Sequence, residues 1–537
     1  MQKYLMTIAL GPVQEFIAAA RRTADLTAGS ELLVGLAKHL ADYLQHHHDA
    51  ELIFPASAQV SAPNKLLFIV QGEPYKIAAD AKKQAHTYLR EQWEGCLQQL
   101  SNEVKTCIDT TLADEQLQHF LEFYAAWVPL NNDYPSARQH LERLLAGRKA
   151  LRDFEQPKSL HNLPKSPLDP SRDTVLKLQD GLKVCAAAQH DRLLRLKPRE
   201  TLDTISLLKR IQGRRLSGKV PSTSEMALRS IWSLAKERVP DATQQMEQIA
   251  HRLGLSEVSD LFFPGRWDDL DTDQPLDEAT QEQLQELRKA ILKSVAVPED
   301  SVAYYAVLLA DGDRMGKRIS ELKTIEDHKG FSEQVADFAQ RVSQIVEQHD
   351  GYLIYCGGDD VLALLPAPRA LECADALQCA FRDAVPNATL SAGVALAHHL
   401  DDLQRVLGWA RQAESAAKRV RNALAVALHP RSGEAMTAVT AWDDFGIWRQ
   451  WIDAFRKGLA RGFPYELHAL ARDYEPNQIA PEILNAEAKR VLERKEGKEL
   501  PVSFPEWAMQ SPSCLKKFAQ LLIIARFLAD YPEREAQ

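Results

Sequence analysis

The sequence lacks a long hydrophobic run and a recognisable leader. No stretch approaches the roughly 20 consecutive apolar residues that a helix needs to cross a bilayer. The opening segment, MQKYLMTIALGPVQEF, has no basic region, no long apolar run and no small-residue cleavage site. We therefore expect neither a membrane span nor a signal peptide. These absences predict a cytoplasmic protein that does not contact a membrane.

Cysteine is scarce, and its spacing is uninformative. The seven cysteines lie at positions 96, 107, 185, 356, 373, 379 and 514, and no two of them form a Cys-x-x-Cys pair. This spacing argues against a zinc ribbon and against a disulfide framework. We therefore expect reduced thiols and no zinc.

The chain also has no excess of basic residues, because 65 Lys and Arg against 74 Asp and Glu give a net charge of −9. Binding of nucleic acid by the whole surface is therefore not expected, and phosphate contacts must come from local patches. The densest basic cluster consists of Lys209, Arg210, Arg214, Arg215 and Lys219. This cluster either contacts an RNA backbone or is a solvated helix face.

The length of 537 residues suggests three or four domains, and a hydrophobic share of 45% is typical of a globular protein. Strand patterns at 4–10 and 65–71, with helical patterns over 75–125 and 133–150, predict a first α/β domain at 1–155. A proline-rich segment at 154–175 marks its end. We then expect a helical domain at 156–295, a second α/β domain at 296–435 and a helical domain at 436–537.

The clearest pattern lies within 303–430. Its apolar runs and amphipathic periods predict four strands that alternate with helices in the order β-α-β-β-α-β, followed by one more helix and strand. The expected strands are 303–310, 352–356, 361–365, 389–397 and 425–429, and the helices are 331–349, 368–384 and 401–422. This order is the ferredoxin-like arrangement, which also forms the palm of many nucleotide polymerases and cyclases.

Two acidic motifs sit at strand ends in this domain. Asp311 and Asp313 flank Gly312 directly after the first strand, and Gly357-Gly358-Asp359-Asp360 forms the turn between the second and third strands. We expect the two motifs to meet at one sheet edge. Carboxylate oxygens suit Mg²⁺ or Mn²⁺, and two such ions can clamp an in-line displacement at phosphorus. Asp311, Asp359 and Asp360 are thus the predicted catalytic and metal-binding residues; the alternative is that Gly-Gly-Asp-Asp is only a hairpin turn.

Other residues near these motifs are candidates for nucleotide contact. The amides from Gly312 to Met315 can cradle phosphate as an anion nest, and flexible glycines let a triphosphate approach the turn. The predicted nucleotide-binding residues are Gly312, Asp313, Arg314, Met315, Ser332, Gly357, Gly358 and Lys418. Lys418 could instead belong, with Arg419 and Arg421, to a solvated helix face, and Ser332 could be a helix N-cap.

Signals for other chemistries are weak or missing. His46, His47, His48 and Asp49 superficially resemble an HD hydrolase motif, but further ligands at helical spacing are not found, so a helix end or loop tip is preferred. No GxSxG, Walker A, GxGxxG or HExxH motif occurs. The apolar segment LLIIARFLADY near the end of the chain predicts either a docking helix within 511–537 or ordinary core packing.

Several segments together resemble the Cmr-type (III-B) CRISPR large subunit, the palm-bearing protein of type III effector complexes. They run in order over most of the chain: GPVQEFIAAARRTADLTAGSELL from residue 11, KSPLDPSRDTVL at 165–176, PSTSEMA at 221–227, ADGDRMG at 310–316, YCGGDD at 355–360, SAGVALAHH at 391–399 and ARQAESAAK at 410–418. The combination is far more specific than Gly-Gly-Asp-Asp alone.

This resemblance implies an α/β (α+β) protein with two ferredoxin-like, cyclase-like palms and two helical domains. The second palm would polymerise ATP into 3′–5′ cyclic oligoadenylates on target RNA binding, with Asp311, Asp359 and Asp360 at the family's metal positions. The first palm would help to bind a second nucleotide. Partners would be the other Cmr subunits, a CRISPR RNA and the target RNA. Because the chain begins at the first palm, without the HD nuclease domain of many members, single-stranded DNase activity is not expected.

Two other functions remain open at this point. The chain is either a scaffold subunit that binds nucleotide without catalysis, or a cyclic-dinucleotide synthase related to diguanylate cyclases. Diguanylate cyclases have Glu after Gly-Gly-Asp, whereas this chain has Asp360, and the intact set of acidic residues argues against a scaffold. The net negative charge also predicts that the isolated chain is a poor catalyst and relies on partners to sense RNA.

Overall fold

The computed structural model describes residues 2–57, 64–131, 133–151, 163–179, 183–216, 218–270, 272, 275–474, 480–496 and 504–532. Within these ranges the strands β1–β12 and the α-helices α1–α21 are numbered in chain order. None of the described helices is both long and apolar enough to cross a membrane.

The first palm is built on a four-stranded antiparallel sheet in the order β2-β3-β1-β4, the ferredoxin-like order. Its strands are β1 (Lys3–Gly11), β2 (Glu51–Phe54), β3 (Lys65–Gln71) and β4 (Glu122–Pro129). Its helices are α1 (Gln14–Ala18), α2 (Thr23–His48), α3 (Pro74–Gln99), α4 (Asn102–Thr106), α5 (Thr110–Phe120) and α6 (Tyr134–Ala150).

The strands predicted at 4–10 and 65–71 are confirmed as β1 and β3. The helical pattern expected up to residue 125 is wrong at its end, because β4 begins at Glu122. This strand is extended because it pairs along β1, with Leu5 opposite Val128, and such tertiary pairing overrides a weak local preference.

The middle region is mostly helical, as expected. It contains the short strands β5 (Leu178–Gln179) and β6 (Lys183–Val184), and the helices α7 (Ala186–Gln189), α8 (Thr204–Arg215), α9 (Thr223–Arg238), α10 (Pro240–Arg252), α11 (Ser259–Phe262), α12 (Glu278–Val295) and α13 (Glu299–Val302). Of the proline-rich boundary segment predicted at 154–175, residues 154–162 lie outside the described residues.

The basic cluster of this region is not a continuous surface. Lys209 and Arg210 on α8 are each only 1% exposed. The Arg210 guanidinium lies 2.9 Å from Asp25 and 3.1 Å from Glu200. The alternative that these two residues contact an RNA backbone is therefore wrong, because both side chains are buried inside the fold.

The second palm has a six-stranded sheet in the order β12-β11-β10-β7-β9-β8. Its strands are β7 (Tyr304–Gly312), β8 (Tyr352–Gly357), β9 (Asp360–Pro366), β10 (Leu390–His398), β11 (Ala423–Leu428) and β12 (Met436–Ala441). Its helices are α14 (Met315–Glu321), α15 (Ile325–Gln348), α16 (Ala370–Ala384) and α17 (Leu403–Val420).

The predicted ferredoxin-like order is confirmed by the antiparallel set β10-β7-β9-β8. The added strand β11 runs parallel to β10. The sheet does not stop at the boundary expected near residue 435, because β12 pairs antiparallel with β11 up to Ala441. A helical pattern was expected for this segment, but it forms an edge strand because it pairs with β11.

The C-terminal region contains α18 (Gly446–Arg456), α19 (Phe463–Tyr474), α20 (Pro481–Glu496) and α21 (Pro512–Leu528). The apolar run of α21 is buried: Leu522, Ile523 and Ile524 are at most 3% exposed. This helix packs against β12, α18 and α19. Core packing thus explains the apolar run, so the run no longer supports the prediction that 511–537 is a docking helix. Residues 533–537 lie outside the described residues.

Direct contacts hold the two palms together. The buried Tyr134 hydroxyl on α6 lies 2.7 Å from Nδ1 of the buried His328 on α15. Lys329 lies 2.6 Å from Glu51. These contacts fix α15, which covers one face of the second palm, against the first palm.

Two of the cysteines are not free thiols. Cys107, at the end of α4, forms a disulfide with Cys185, which precedes α7. The expectation of reduced thiols is therefore wrong for this pair. The pairing is not evident from the sequence, because the two cysteines are 78 positions apart and backbone hydrogen bonds such as Lys177 N–H to Cys107 O bring the two segments together only in the fold.

Candidate active site

The two acidic motifs meet at one edge of the second palm sheet. Ala310 pairs with Val361 in the β7–β9 ladder, so Asp311 and Asp360 follow at the same end. Gly357 pairs with Asp360 across the hairpin, and Gly358 adopts a φ of +84°, which favours glycine. The predicted meeting of Asp311 with the Gly-Gly-Asp-Asp turn is confirmed.

Gly312 allows this meeting to be close. A Cβ atom at this position would lie 2.7 Å from Oδ2 of Asp359 and 2.7 Å from Cγ of Met315. No side chain fits between the two motifs, so glycine is required for steric reasons. Met315 begins α14 directly beside the acidic turn, and Arg314 before it has a left-handed φ of 56°.

Burial and mutual repulsion shape the acidity of the carboxyl groups. Burial, with repulsion from Asp311, raises the pKa of Asp359 to about 7. Burial, with repulsion from Asp311 and then Glu414, likewise raises the pKa of Asp360 to about 7. The site therefore holds more negative charge than its surroundings stabilise, which is the condition that favours a bound cation.

Lys418 on α17 supplies positive charge at this edge. Its Nζ lies 2.5 Å from Oδ2 of Asp311 and donates a hydrogen bond of 2.7 Å to the carbonyl oxygen of Gly312. The Lys418 side chain is 23% exposed. The interpretation of Lys418 as part of a solvated helix face is therefore wrong, whereas its neighbours Arg419 and Arg421 are exposed.

Asp313 has a different environment from Asp311. The residue is 5% exposed, and its carboxylate accepts hydrogen bonds from the Thr389 hydroxyl at 2.8 Å, the Ser391 hydroxyl at 2.8 Å and the backbone N–H of Asn422 at 2.9 Å. These bonds fix the end of β7 against β10. Any contact of residue 313 with a nucleotide is therefore left to its backbone.

Ser332 lies inside α15, whose N-cap is Thr324. The alternative that Ser332 caps a helix is therefore wrong. Its side chain is 2% exposed, and its hydroxyl has no hydrogen-bond partner among the described residues. One turn later Val335 lies under Gly358, where an added Cβ would be 3.1 Å from its methyl group. Ser332 is thus placed behind the acidic turn, and its contact with a nucleobase stays a prediction.

Sequence reasoning missed two functional candidates on α17. Arg411 precedes Lys418 by two helical turns and Glu414 precedes it by one, so the three side chains share one face. Arg411 donates a hydrogen bond of 2.9 Å to the carbonyl oxygen of Gln14 in the first palm. Burial and then Asp311 raise the pKa of Glu414. The sequence pattern that could have identified these two residues is the i, i+3, i+7 spacing of three charged residues.

A cavity of about 130 Å³ opens between the two palms at this face. Its first-palm wall is α1 and the residue before it, and its second-palm wall contains two of the acidic residues. The lining residues are Val13, Gln14, Ile17, Leu309, Asp311, Tyr355, Asp360, Leu362, Arg411 and Glu414. A ligand held there touches both palms.

The histidine-rich segment is not part of this site. It ends α2, where Nδ1 of His46 and of His47 bonds to the carbonyl oxygens of Asp42 and Tyr43. His48 lines a separate cavity with residues of α3. The preferred interpretation of these histidines as a helix end is confirmed.

The donor set at the acidic edge suits a hard divalent cation, because it consists of carboxylate oxygens. Asp359 and Asp360 form no ion pair with another described side chain, so their charge is available to an ion. Within the described ranges no three Asp, Glu, His or Cys side chains are yet close enough to hold one ion together. Asp311 is instead paired with Lys418, which would have to release it.

We predict that metal-free protein loses stability as the pH rises from about 4 to about 7. The folded-state pKa values of Asp359 and Asp360 are raised from the ordinary 3.8 to about 7, so in this window the native state binds more protons than the unfolded state, and deprotonation destabilises it. Thermal melts of wild type and of Asp359→Asn/Asp360→Asn in EDTA test this. An equally steep pH dependence in the variant would contradict the assignment.

Two segments of the chain, one in each palm, match protein-family models. Residues 304–425 match the family model described as Cas10/Cmr2, second palm domain, and residues 5–98 match CRISPR-associated protein Cmr2, N-terminal. The CRISPR system Cmr subunit Cmr2 of Pyrococcus furiosus is 31% identical over 224 residues. That alignment covers 34% of this chain and 25% of the relative, so only a quarter of the relative's length is spanned.

Solved structures have the same fold. A chain of the type III-B Cmr-beta structure in the apo state matches with a TM-score of 0.66 at 13% identity, covering 94% of this chain and 78% of that one. The form bound to cognate target RNA gives 0.62 at 12% identity, covering 94% and 80%. A chain of a Csm1–Csm4 cassette in complex with pppApApA gives 0.51 at 14% identity, covering 98% and 69%.

Proposed function

We propose that the chain is a member of the Cas10/Cmr2 family and the nucleotidyltransferase subunit of a type III-B RNA-guided antiviral complex, a proposal that the matches to Cmr2 domains support. Its second palm polymerises ATP into cyclic oligoadenylates when the complex binds target RNA. The observation that carries this proposal is a cavity between the palms that is lined by Asp311 and Asp360, with Asp359 close enough to Asp311 for their charges to interact.

In the proposed reaction the 3′-hydroxyl of one adenylate attacks the α-phosphate of an ATP, and pyrophosphate leaves. Asp311, Asp359 and Asp360 would hold Mg²⁺ or Mn²⁺, which stabilises charge on the attacking and leaving oxygens. Lys418, which now contacts Asp311, would be free to bind the phosphates if cations held the carboxylates. The backbone from Gly312 to Met315, with Gly357 and Gly358, gives the phosphates room, and Ser332 contacts the base.

The remaining residues of the cavity orient the second nucleotide. Arg411 already reaches across the palms to Gln14 O, and Glu414 places a carboxylate beside it. A ribose hydroxyl or a phosphate of the acceptor fits this pair of opposite charges. The first palm then contributes shape rather than acidic ligands.

The proposed partners are the other Cmr subunits, a CRISPR RNA and the target RNA, and the proposed location is the cytoplasm. The structural relatives support this assembly, since one of them is a type III-B particle bound to cognate target RNA. A Csm1–Csm4 cassette in complex with pppApApA supports adenylate oligomers as the product class.

The test is turnover of labelled ATP by the reconstituted complex with Mg²⁺ and target RNA. Cyclic oligoadenylate with release of pyrophosphate is expected, and omission of target RNA should abolish it. A complex that binds ATP without turnover would support the scaffold alternative, and cyclic dinucleotide from GTP would support a diguanylate-cyclase-like enzyme. Strong turnover by the isolated chain would contradict dependence on partners.

We predict that Lys418→Met lowers kcat by about 100-fold, the typical loss when one donor to a developing phosphate charge is removed. Methionine keeps most of the length of the side chain but loses the contacts with Asp311 and Gly312 O. The measurement is the initial rate of product formation at saturating Mg²⁺. Arg419→Met, one residue along the same helix and exposed, is the control and should retain the wild-type rate.

A further inference from the structure

A buried lysine of the middle region holds the cavity wall that the first palm supplies. Lys209 on α8 is 1% exposed. Its Nζ donates hydrogen bonds to the carbonyl oxygens of Phe16, at 2.7 Å, and of Ala19. The ammonium also lies 4.6 Å from the centre of the Phe16 ring. These contacts bind the last turn of α1, the short helix whose Gln14 and Ile17 line the cavity.

A charged residue is a costly choice for this position. Burial lowers the pKa of Lys209 to about 8, although Asp203 and Asp25 act in the opposite direction. An apolar side chain would fill the space without this cost. The two carbonyl oxygens at the C-terminal end of α1 accept hydrogen bonds from the ammonium group, whereas an apolar residue would leave them without this donor.

The surrounding structure is adapted to this lysine. A Cβ atom on Gly29 of α2 would lie 2.9 Å from Cδ of Lys209. Arg210 next to it binds Asp25 and Glu200, and Gly213 lets α8 pack on the backbone of Ala24, 2.9 Å from a Cβ placed there. Helix α8 is thereby fixed to the start of α2, directly beside α1.

The middle region is fixed to the second palm as well. Helix α9 begins with Thr223, whose hydroxyl donates to the carbonyl oxygen of His399, and Ser224, whose hydroxyl lies 2.8 Å from Nδ1 of His399. The segment just before α9 also accepts, at Pro221 O, a hydrogen bond of 2.8 Å from the Thr23 hydroxyl at the start of α2, so the middle region contacts both palms beside α1. Arg411 holds the other end of α1 through Gln14 O.

We propose that Lys209 is a positioning residue that sets the first-palm wall of the inter-palm nucleotide cavity by holding α1 at Phe16 O and Ala19 O. The proposal rests on the proposed function for its catalytic consequence. Its structural consequence, a fixed α1, is independent of catalysis. The middle region thus acts on the reaction by determining how a nucleotide in the cavity is contacted.

The test compares Lys209→Met with Lys177→Met in the reconstituted complex. Lys177 is the control, because its exposed ammonium also donates to a first-palm carbonyl, that of Thr106 at 2.9 Å, but far from α1 in sequence. For Lys209→Met we expect the KM for ATP to rise on the order of tenfold with a smaller change in kcat, since lost wall contacts weaken binding. Lys177→Met should match wild type.

A second variant retains the charge. Gly29→Ala should displace Lys209 and raise the KM in the same direction. Melting temperatures are measured for all variants, and rates are taken well below the lowest of them. A Lys209→Met complex with lowered melting temperature but wild-type KM and kcat would show a purely structural role and overturn the proposal.

Hydrogen exchange separates this inference from the proposed function. In Lys209→Met, amides of peptides covering residues 13–20 should exchange faster than in wild type and in Lys177→Met. If the wild-type complex makes no nucleotide product, the proposed function fails, and exchange alone then decides whether Lys209 holds α1. Unchanged exchange in these peptides would overturn the inference.

Discussion

Replacement of Asp359 and Asp360 together by Ala is expected to abolish nucleotide product while complex assembly remains. With the triphosphate and cations present, this change removes two of the three aspartates proposed to hold the metal. The developing charge at the α-phosphate then loses its main stabiliser, which corresponds to about a thousandfold or more in rate. The measurement is radiolabelled ATP turnover by the assembled complex with target RNA.

The same double variant should melt no earlier than wild type in EDTA. Both carboxyl groups are buried and repelled by Asp311, which raises each pKa to about 7, so their removal relieves a destabilising interaction at neutral pH. Asp443→Ala/Asp444→Ala, an exposed acidic pair after β12, is the matched control and should keep full turnover. Loss of RNA binding or early melting in the Asp359/Asp360 variant would show that the turn is structural.

Gly393→Ala should also lower turnover strongly, although residue 393 is not proposed to touch substrate. A Cβ atom there would lie 2.1 Å from the backbone nitrogen and 2.5 Å from Cα of Glu414. Since backbone atoms cannot relieve the clash by rotating as a side chain does, α17 must move away from β10. This movement displaces Arg411, Glu414 and Lys418. A displacement of about 1 Å at reacting groups costs on the order of 100-fold in rate, and overpacking costs about 1–3 kcal/mol of stability.

Gly408→Ala provides the control for this change. Gly408 lies in the same helix, but a Cβ atom there meets nothing within 4 Å. Alanine at this position should stabilise α17 by roughly 0.5–1 kcal/mol, because glycine loses more backbone freedom on folding. Rates and thermal melts of the two variants are compared at a temperature where both are folded. Wild-type turnover in Gly393→Ala would show that the position of α17 is unimportant.

The sequence alone determined the framework of the second palm. Apolar runs of strand length and amphipathic helical periods are local patterns, so the strand order and the acidic motifs at the ends of β7 and β8 could be located without coordinates. The meeting of Asp311 with Asp359 and Asp360 followed from that order, because neighbouring strands of a ferredoxin-like sheet end at shared edges. The glycines of the turn could likewise be located from the sequence alone.

The tertiary structure decided what depends on contacts between distant segments. Strands β4 and β12 exist through pairing with β1 and β11, and no local pattern required them. Asp313 resembles Asp311 in sequence, but hydrogen bonds from Thr389 and Ser391 keep its carboxylate inside the fold. Lys209 is part of a basic run, yet it is buried because Phe16 and Ala19 offer carbonyl oxygens from the first palm. Charge along a sequence does not reveal which charges find buried partners, because those partners are brought together only when the domains pack.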